Sequence, residues 1–205
     1  MNPINKILIL TISGLLLFGC NEKYTPKPRG FFRIDFPEKT YHRISTVFPY
    51  RFDIPDYAEI IPDSGNPEKP FWINVAFPAN KAEIHLSYYN ISNQKISSRL
   101  LLNEFMEETR TLAYKHTIKA DAIQEQVFMN PANHVYGLIY KIEGNAASPM
   151  QFFLTDSTHH FLRGALYIRE VPNIDSLKPV IDFLEIDIIR LIETTSWNKC
   201  LSLKK

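Results

Sequence analysis

Ala122-Ile-Gln-Glu-Gln-Val-Phe-Met129, His134-Val-Tyr-Gly-Leu-Ile-Tyr-Lys-Ile-Glu143, Met150-Gln-Phe-Phe-Leu-Thr155 and His159-His-Phe-Leu-Arg-Gly-Ala-Leu-Tyr-Ile-Arg169 are four β-type runs in succession. They are rich in β-branched and aromatic residues, which suit a pleated, half-buried surface. The segments between them carry turn chemistry: Asn130-Pro-Ala-Asn133, Gly144-Asn-Ala-Ala-Ser-Pro149 and Asp156-Ser-Thr158. Such short links join neighbouring antiparallel strands, so the stretch predicts a four-stranded meander.

Upstream, Ile96 to Lys115 predicts a helix. Ile96, Leu100, Leu101, Phe105, Leu112 and Ala113 recur on one side, and Arg99, Glu104, Glu107, Glu108 and Arg110 mostly on the other. Before it, Phe71, Ile73, Val75 and Phe77 alternate along one strand, and Ala82, Ile84, Leu86 and Tyr88 along the next. Pro78-Ala-Asn-Lys81 suits the hairpin between them. Downstream, Asp175 or Ser176 can cap a second helix with Pro179 in its first turn. Its apolar stripe is Leu177, Val180, Ile181, Leu184, Ile188, Leu191 and Ile192. Grouped strands with one helix before the meander and one after it give an α+β fold, an antiparallel sheet packed by two main helices.

Nine of the 14 prolines fall between Pro26 and Pro78, a region that cannot hold long helices because each interior Pro costs about 3 kcal/mol. Gly30 to Phe36 and Val47 to Ile54 read there as short edge strands, and Pro62-Asp-Ser-Gly-Asn-Pro67 as a loop.

The amino terminus has a different character. Lys6 precedes an apolar-biased run from Ile7 to Phe18, which ends in Gly19-Cys20. A cationic start, an apolar run and a small residue describe a secretory signal peptide. Leu17-Phe-Gly-Cys20 further resembles the bacterial lipobox, in which the Cys thiol receives a diacylglycerol and the chain is cut just before it. Several acyl chains on one residue make membrane attachment effectively permanent, whereas one chain binds only marginally. The expected organisation is therefore a signal peptide over 1–19, a lipidated Cys20 with an extended tether over 20–29, and one globular domain over 30–205. The tether Asn21-Glu-Lys-Tyr-Thr-Pro-Lys-Pro28 reaches about 25 Å if extended.

Composition excludes other classes. The 45% apolar content is too high for a disordered chain, and 23 basic against 22 acidic residues lack the excess of a general nucleic-acid binder. Lys6 is the only charged residue ahead of Cys20, so processing leaves no net charge and the lipid must hold the protein on its bilayer. With Cys20 modified, Cys200 has no partner within the chain.

Chemistry-bearing patterns are sparse. Thr155-Asp-Ser-Thr-His-His160 contains Asp, Ser and His, but triad partners meet in space rather than along one turn, and no Gly-x-Ser-x-Gly elbow occurs. His159 and His160 would point to opposite faces of a strand, the other histidines lack ligand spacing, and no metal site is expected. No phosphate loop occurs among the seven glycines. Glu104, Glu107 and Glu108 read as a solvated helix face. Lys27, Arg29 and Arg33, interleaved with Tyr24, Phe31 and Phe32, fit either a contact with lipid headgroups or a partner, or a first strand with ordinary flanking charge.

Four stretches carry a family resemblance: Tyr24 to Lys39, Phe71-Trp-Ile-Asn-Val-Ala-Phe-Pro78, Ile84-His-Leu-Ser-Tyr-Tyr89 and Thr155 to Tyr167. With the lipobox, they resemble the gliding-motility lipoprotein GldD family of the Bacteroidota. The resemblance implies an accessory part of the gliding machinery and its type 9 secretion apparatus, supporting the assembly or stability of other lipoprotein or membrane components. It supplies no catalytic residue, cofactor or small-molecule substrate, and only Cys20 transfers, as the site of lipid attachment. The order of elements also looks like the PsbP/Mog1 α-β-α sandwich, an analogy of fold alone. Surface export in these bacteria is associated with several acids after the Cys. Asn21-Glu22-Lys23 has one acid and then a base, which implies a periplasm-facing anchor on the inner or outer membrane. The alternative is an envelope-tethered enzyme or small-ligand receptor with Asp156, His159 and Arg163 around a pocket.

Overall fold

The computed structural model describes residues 34–44, 47–92, 97–171 and 173–198. Cys20, Lys27, Arg29, Arg33 and Cys200 lie outside them, as do the signal peptide and tether.

Alternating apolar residues build one seven-stranded antiparallel sheet among the described residues. Its strands are β4 (Glu59–Pro62), β5 (Ile73–Phe77), β6 (Ala82–Asn90), β7 (Ala120–Asn130), β8 (Val135–Gly144), β9 (Met150–Thr155) and β10 (His160–Ile168). The order across the sheet is β4-β5-β6-β10-β9-β8-β7. The predicted four-stranded meander is thus present. It joins the β4-β5-β6 ribbon through a nine-residue pairing of β10 with β6, from His160↔Asn90 to Ile168↔Ala82. Two hairpins reuse one device: Pro78–Asn80 and Pro131–Asn133 each form a 3-10 turn closed by a left-handed residue, Lys81 and His134.

Helix α1 (Ser98–Tyr114) crosses between the two ribbons, and α2 (Ile174–Thr194) follows the meander. They pack on opposite faces. One core gathers Ile84, Leu86, Ile139, Phe152, Leu154, Leu162 and Leu166 beneath Leu184, Ile188, Leu191 and Ile192 of α2. The other places Tyr140, Ile142, Phe153 and Phe161 beneath Leu101, Leu102, Phe105 and Ala113 of α1. Phe152 and Phe153 enter different cores because successive strand residues point to opposite faces. The fold is therefore α+β in three layers, helix, sheet and helix.

Several expectations are corrected. Residues 34–36 form no strand, so the described end of the predicted Gly30–Phe36 strand is irregular. Val47–Ile54 contains two short strands, β2 (Tyr50–Arg51) and β3 (Asp53–Pro55), and neither edges the main sheet. β3 pairs with β1 (Tyr41–Arg43), and β2 pairs with β11 (Ser196–Trp197) after α2. The true edges are β7 and the unpredicted β4, whose four residues are too few to show a period. Leu100 is 63% exposed, because the inward stripe of α1 follows Leu101, Phe105, Thr109 and Ala113. Helix α2 starts at Ile174 with Asn173 as its cap residue, so Pro179 sits inside the helix rather than in its first turn.

Glycine is required where rings cross the sheet. A Cβ at Gly164 would stand 2.1 Å from the Phe152 ring, which is buried against it from the paired position of β9. We expect Gly164→Ala to lower stability by about 1–3 kcal/mol through overpacking. Gly65→Ala, in a loop with its nearest atom at 3.3 Å, should change it little. Thermal unfolding of the two variants compares them.

Candidate functional site

Two polar clusters stand out from the apolar frame. The first is centred on Asp187, which lies on the inward side of α2 with 1% exposure. Burying a carboxylate costs several kcal/mol unless it is paired and hydrogen-bonded. Here Lys39 Nζ lies 2.7 Å from Oδ1, the Tyr41 hydroxyl donates to the same oxygen at 2.9 Å, and the Tyr57 hydroxyl donates to Oδ2 at 2.5 Å. Lys39 also donates to the Phe183 carbonyl and sits 3.6 Å from the centre of the Phe183 ring. Phe36 stacks on that ring at 4.2 Å. Burial and the neighbouring carboxylate push the Tyr41 hydroxyl up to about 12, and push that of Tyr57 up as well. Both tyrosines therefore remain donors at any physiological pH.

A second carboxylate extends the clamp. Asp53 takes Arg43 Nε at 2.9 Å and Arg190 Nη2 at 2.9 Å, and the Arg190 guanidinium lies over the Tyr41 ring. The segment from Phe36 to Arg43 is thus strapped along α2 by alternating rings and charges. Sequence reading missed this set. Its one signal is Asp187 amid the apolar positions Leu184, Ile188 and Leu191.

The second cluster closes the end of the sheet near the residues proposed for a pocket. The Asp156 carboxylate accepts the backbone N–H groups of Thr158, His159 and His160 at 2.7–2.9 Å. Burial pushes this carboxyl up, and those three donors outweigh it and hold it below the usual range. Asp156 is thereby committed to its own turn, in which Ser157 adopts the left-handed conformation. His159 is exposed, with Nδ1 3.6 Å from Asp156 Oδ2. His160 is buried, shares a 2.8 Å hydrogen bond with the Tyr88 hydroxyl, and stacks on Trp197 with ring centres 4.9 Å apart. Asn133, His134, Asp156, Thr158, His160 and Trp197 line an open cleft of about 510 Å³.

Arg163 does not join them. Three residues from His160 along β10, it points to the opposite face and donates from Nη2 to Gln151 Oε1 at 3.0 Å. The structure therefore brings Asp156 and His159 together at one turn and separates Arg163 from both. Among the described residues no three His, Cys, Asp or Glu side chains converge as cation ligands.

A second cleft, of about 480 Å³, separates the first half of α2 from β7 and β8. Its floor includes Met150, Leu166 and Ile181, and its rim carries the Lys141–Glu185 and Lys178–Asp182 ion pairs.

With the fold in view, the family model described as gliding motility lipoprotein GldD matches residues 21–197. The chain belongs to that family. GldD membership gives it a role in gliding motility and places it among lipoproteins. No helix among the described residues is long and apolar enough to cross a membrane. Comparison with curated protein sequences gave no match. Among solved structures, the solution structure of cyanobacterial PsbP (CyanoP) from Synechocystis sp. PCC 6803 is similar at 10% identity and a TM-score of 0.45, over 82% of this chain and 98% of that one.

Two measurements probe the clusters of this GldD chain. Asp187→Ala should cost about 3 kcal/mol or more, since it strands Lys39 and two tyrosine hydroxyls. Lys39→Met and Asp187→Leu combined should cost clearly less than the sum of the two single changes, which denaturant unfolding of a double-mutant cycle reads directly.

His160 provides a pH signature. Burial pushes its imidazole below the ordinary 6.5, so the folded state binds fewer protons than the unfolded chain. The stability it supplies is present above pH 6.5 and is lost as pH falls through the lowered value. His160→Gln should flatten that slope in pH-dependent unfolding. His116 shifts in the same direction and leaves a residual slope, while Asp156 and Glu83 act in the more acidic window below their ordinary carboxyl values.

Proposed function

We propose that this chain is a non-catalytic accessory lipoprotein that supports the assembly or stability of other components of the gliding and type 9 secretion machinery by direct contact. Asp156 carries this reading. The most enzyme-like residue of the sequence spends its carboxylate on three backbone donors of its own turn, and Arg163 faces the other side of the sheet. What remains around the cleft is a shaped polar surface.

In this reading Cys20 bears the diacylglycerol and acyl chains, and the protein faces the periplasm. The family match beginning at residue 21 supports a mature chain that starts at the modified Cys. From Cys20 the chain leads into the described residues at Ile34 and then into the strap from Phe36 to Arg43. A tethered protein that works by contact needs its anchor joined firmly to its folded body. The clamp of Lys39 and Tyr41 on Asp187 suits that need, because a pull along the chain is borne by buried charge and stacked rings.

Cys20→Ala should release the protein from the membrane fraction and abolish colony spreading, as read by fractionation and a motility assay. Deletion should lower the level of at least one partner lipoprotein or membrane component. Asp156→Asn, His159→Ala and Arg163→Gln should each leave spreading intact wherever the variant protein accumulates normally. Loss of spreading by one of these at normal abundance, together with substrate turnover by the purified wild type, would sink the non-catalytic reading.

A further inference from the structure

The two edges of the main sheet are treated differently. β4 is four residues long and ends in Pro62, which removes a backbone donor. Short edges, proline and lysine are the ordinary means of preventing edge-to-edge pairing. β7 has none of them. It runs for 11 residues, Ala120-Asp-Ala-Ile-Gln-Glu-Gln-Val-Phe-Met-Asn130, with no Lys, Arg or Pro, and β8 is its only described neighbour. Its one irregularity is a bulge at Ala120/Ala122, so the run from Ile123 to Asn130 is regular. Its side chains are open as well, with Val127 67% and Met129 69% exposed. Among the described residues the helices reach β7 through Ile123, Phe128 and the Tyr114–Glu125 hydrogen bond, and leave Gln124, Gln126, Val127 and Met129 exposed.

The geometry points to β7 as a homodimer interface, in which β7 of a second copy of this chain adds antiparallel to it and extends the sheet across a two-fold axis. Strand order and residue types select the register. An axis perpendicular to the sheet sets each residue i against 2c − i, where c is the residue on the axis. Centring on Glu125 would give the longest overlap but would set two carboxylates directly opposite, which is unfavourable. Centring one residue on, at Gln126, moves the two carboxylates from directly opposed to diagonal positions, about 7–8 Å apart.

In that register the two Gln126 amides face one another, and each carries both a donor and an acceptor. Ile123 opposes Met129, Gln124 opposes Phe128, and Glu125 opposes Val127. On the α1 face Ile123 of each copy would meet Met129 of the other, so one apolar pair would lie on each side of a centre formed by Glu125 and Val127. Glu125 accepts a hydrogen bond from the Tyr114 hydroxyl of its own chain. The outward backbone groups supply the ladder. An isologous contact of this kind closes at two copies. This inference does not rest on the lipid anchor or on the absence of catalysis.

The test uses the full chain purified in detergent, in a Cys200→Ser background. Residues opposed across antiparallel strands have Cα atoms about 4.5–5.5 Å apart, within disulfide range. Mild oxidation of Gln126→Cys should therefore yield a covalent dimer on a non-reducing gel. Gln124→Cys should not, because its two copies lie four strand positions apart, about 14 Å. Sedimentation equilibrium should show a dimer for the wild type. Gln126→Lys combined with Val127→Lys should convert it to monomer with an unchanged circular dichroism spectrum, both positions being exposed.

A wild type that stays monomeric up to its solubility limit, with no Gln126→Cys dimer, overturns the proposal. Equal cross-linking at Gln124→Cys overturns the register. A monomeric chain whose Gln126→Cys is captured in cells by a different polypeptide overturns the second copy as occupant.

Discussion

A buried carboxylate organises one whole side of this molecule. Asp187 lies within the apolar stripe of α2, where an unpaired charge would be severely unfavourable. Three side chains from the proline-rich half of the chain make it acceptable. Lys39 and Tyr41 come from the strap, and Tyr57 comes from the turn between β3 and β4. The dependence is mutual. The strap has little regular structure to hold it, and α2 has no other described partner for that charge. The strap and α2 therefore stabilise one another.

The arrangement connects fold and role. The strap holds the first described residues against α2. Both tyrosines of the clamp are pushed far above neutrality and keep their protons there. The opposite end of the sheet behaves differently. His160, stacked on Trp197 and hydrogen-bonded to Tyr88, loses its stabilising contribution in acid. The two clusters thus differ: the tyrosines of the clamp keep their protons near neutrality, whereas His160, stacked on Trp197 of β11, responds to acid.

Much of the frame was legible from local pattern. Met150–Thr155 falls where its sequence places it, and the strands around it shift by one or two residues at their ends. These strands are runs of β-branched and aromatic residues bounded by turn residues, and Met150–Thr155 is buried along its whole length between the two cores. Legibility failed where the pattern was short or ambiguous. Leu100 is as apolar as Leu101 and Leu102, and only the angle at which α1 meets the sheet leaves it in water. Pro179 read as a first-turn residue because that is where proline is least costly, yet Asn173 starts the helix earlier.

The amino-acid sequence by itself determined the β5-β6 hairpin, the antiparallel meander, the two amphipathic helices and the motifs that tie the chain to its family. All of these are local, carried by period and by turn residues a few positions apart. Only the tertiary structure decided which polar groups are spent on folding and which stay available. Lys39 and Asp187 are 148 residues apart, and no spacing announces their meeting. Asp156 and Arg163 are seven apart, yet one is consumed by its turn and the other faces the far side of the sheet. That β7 has β8 as its only described neighbour likewise emerges only once the strands have been ordered, because whether a strand is central or peripheral depends on what pairs beside it.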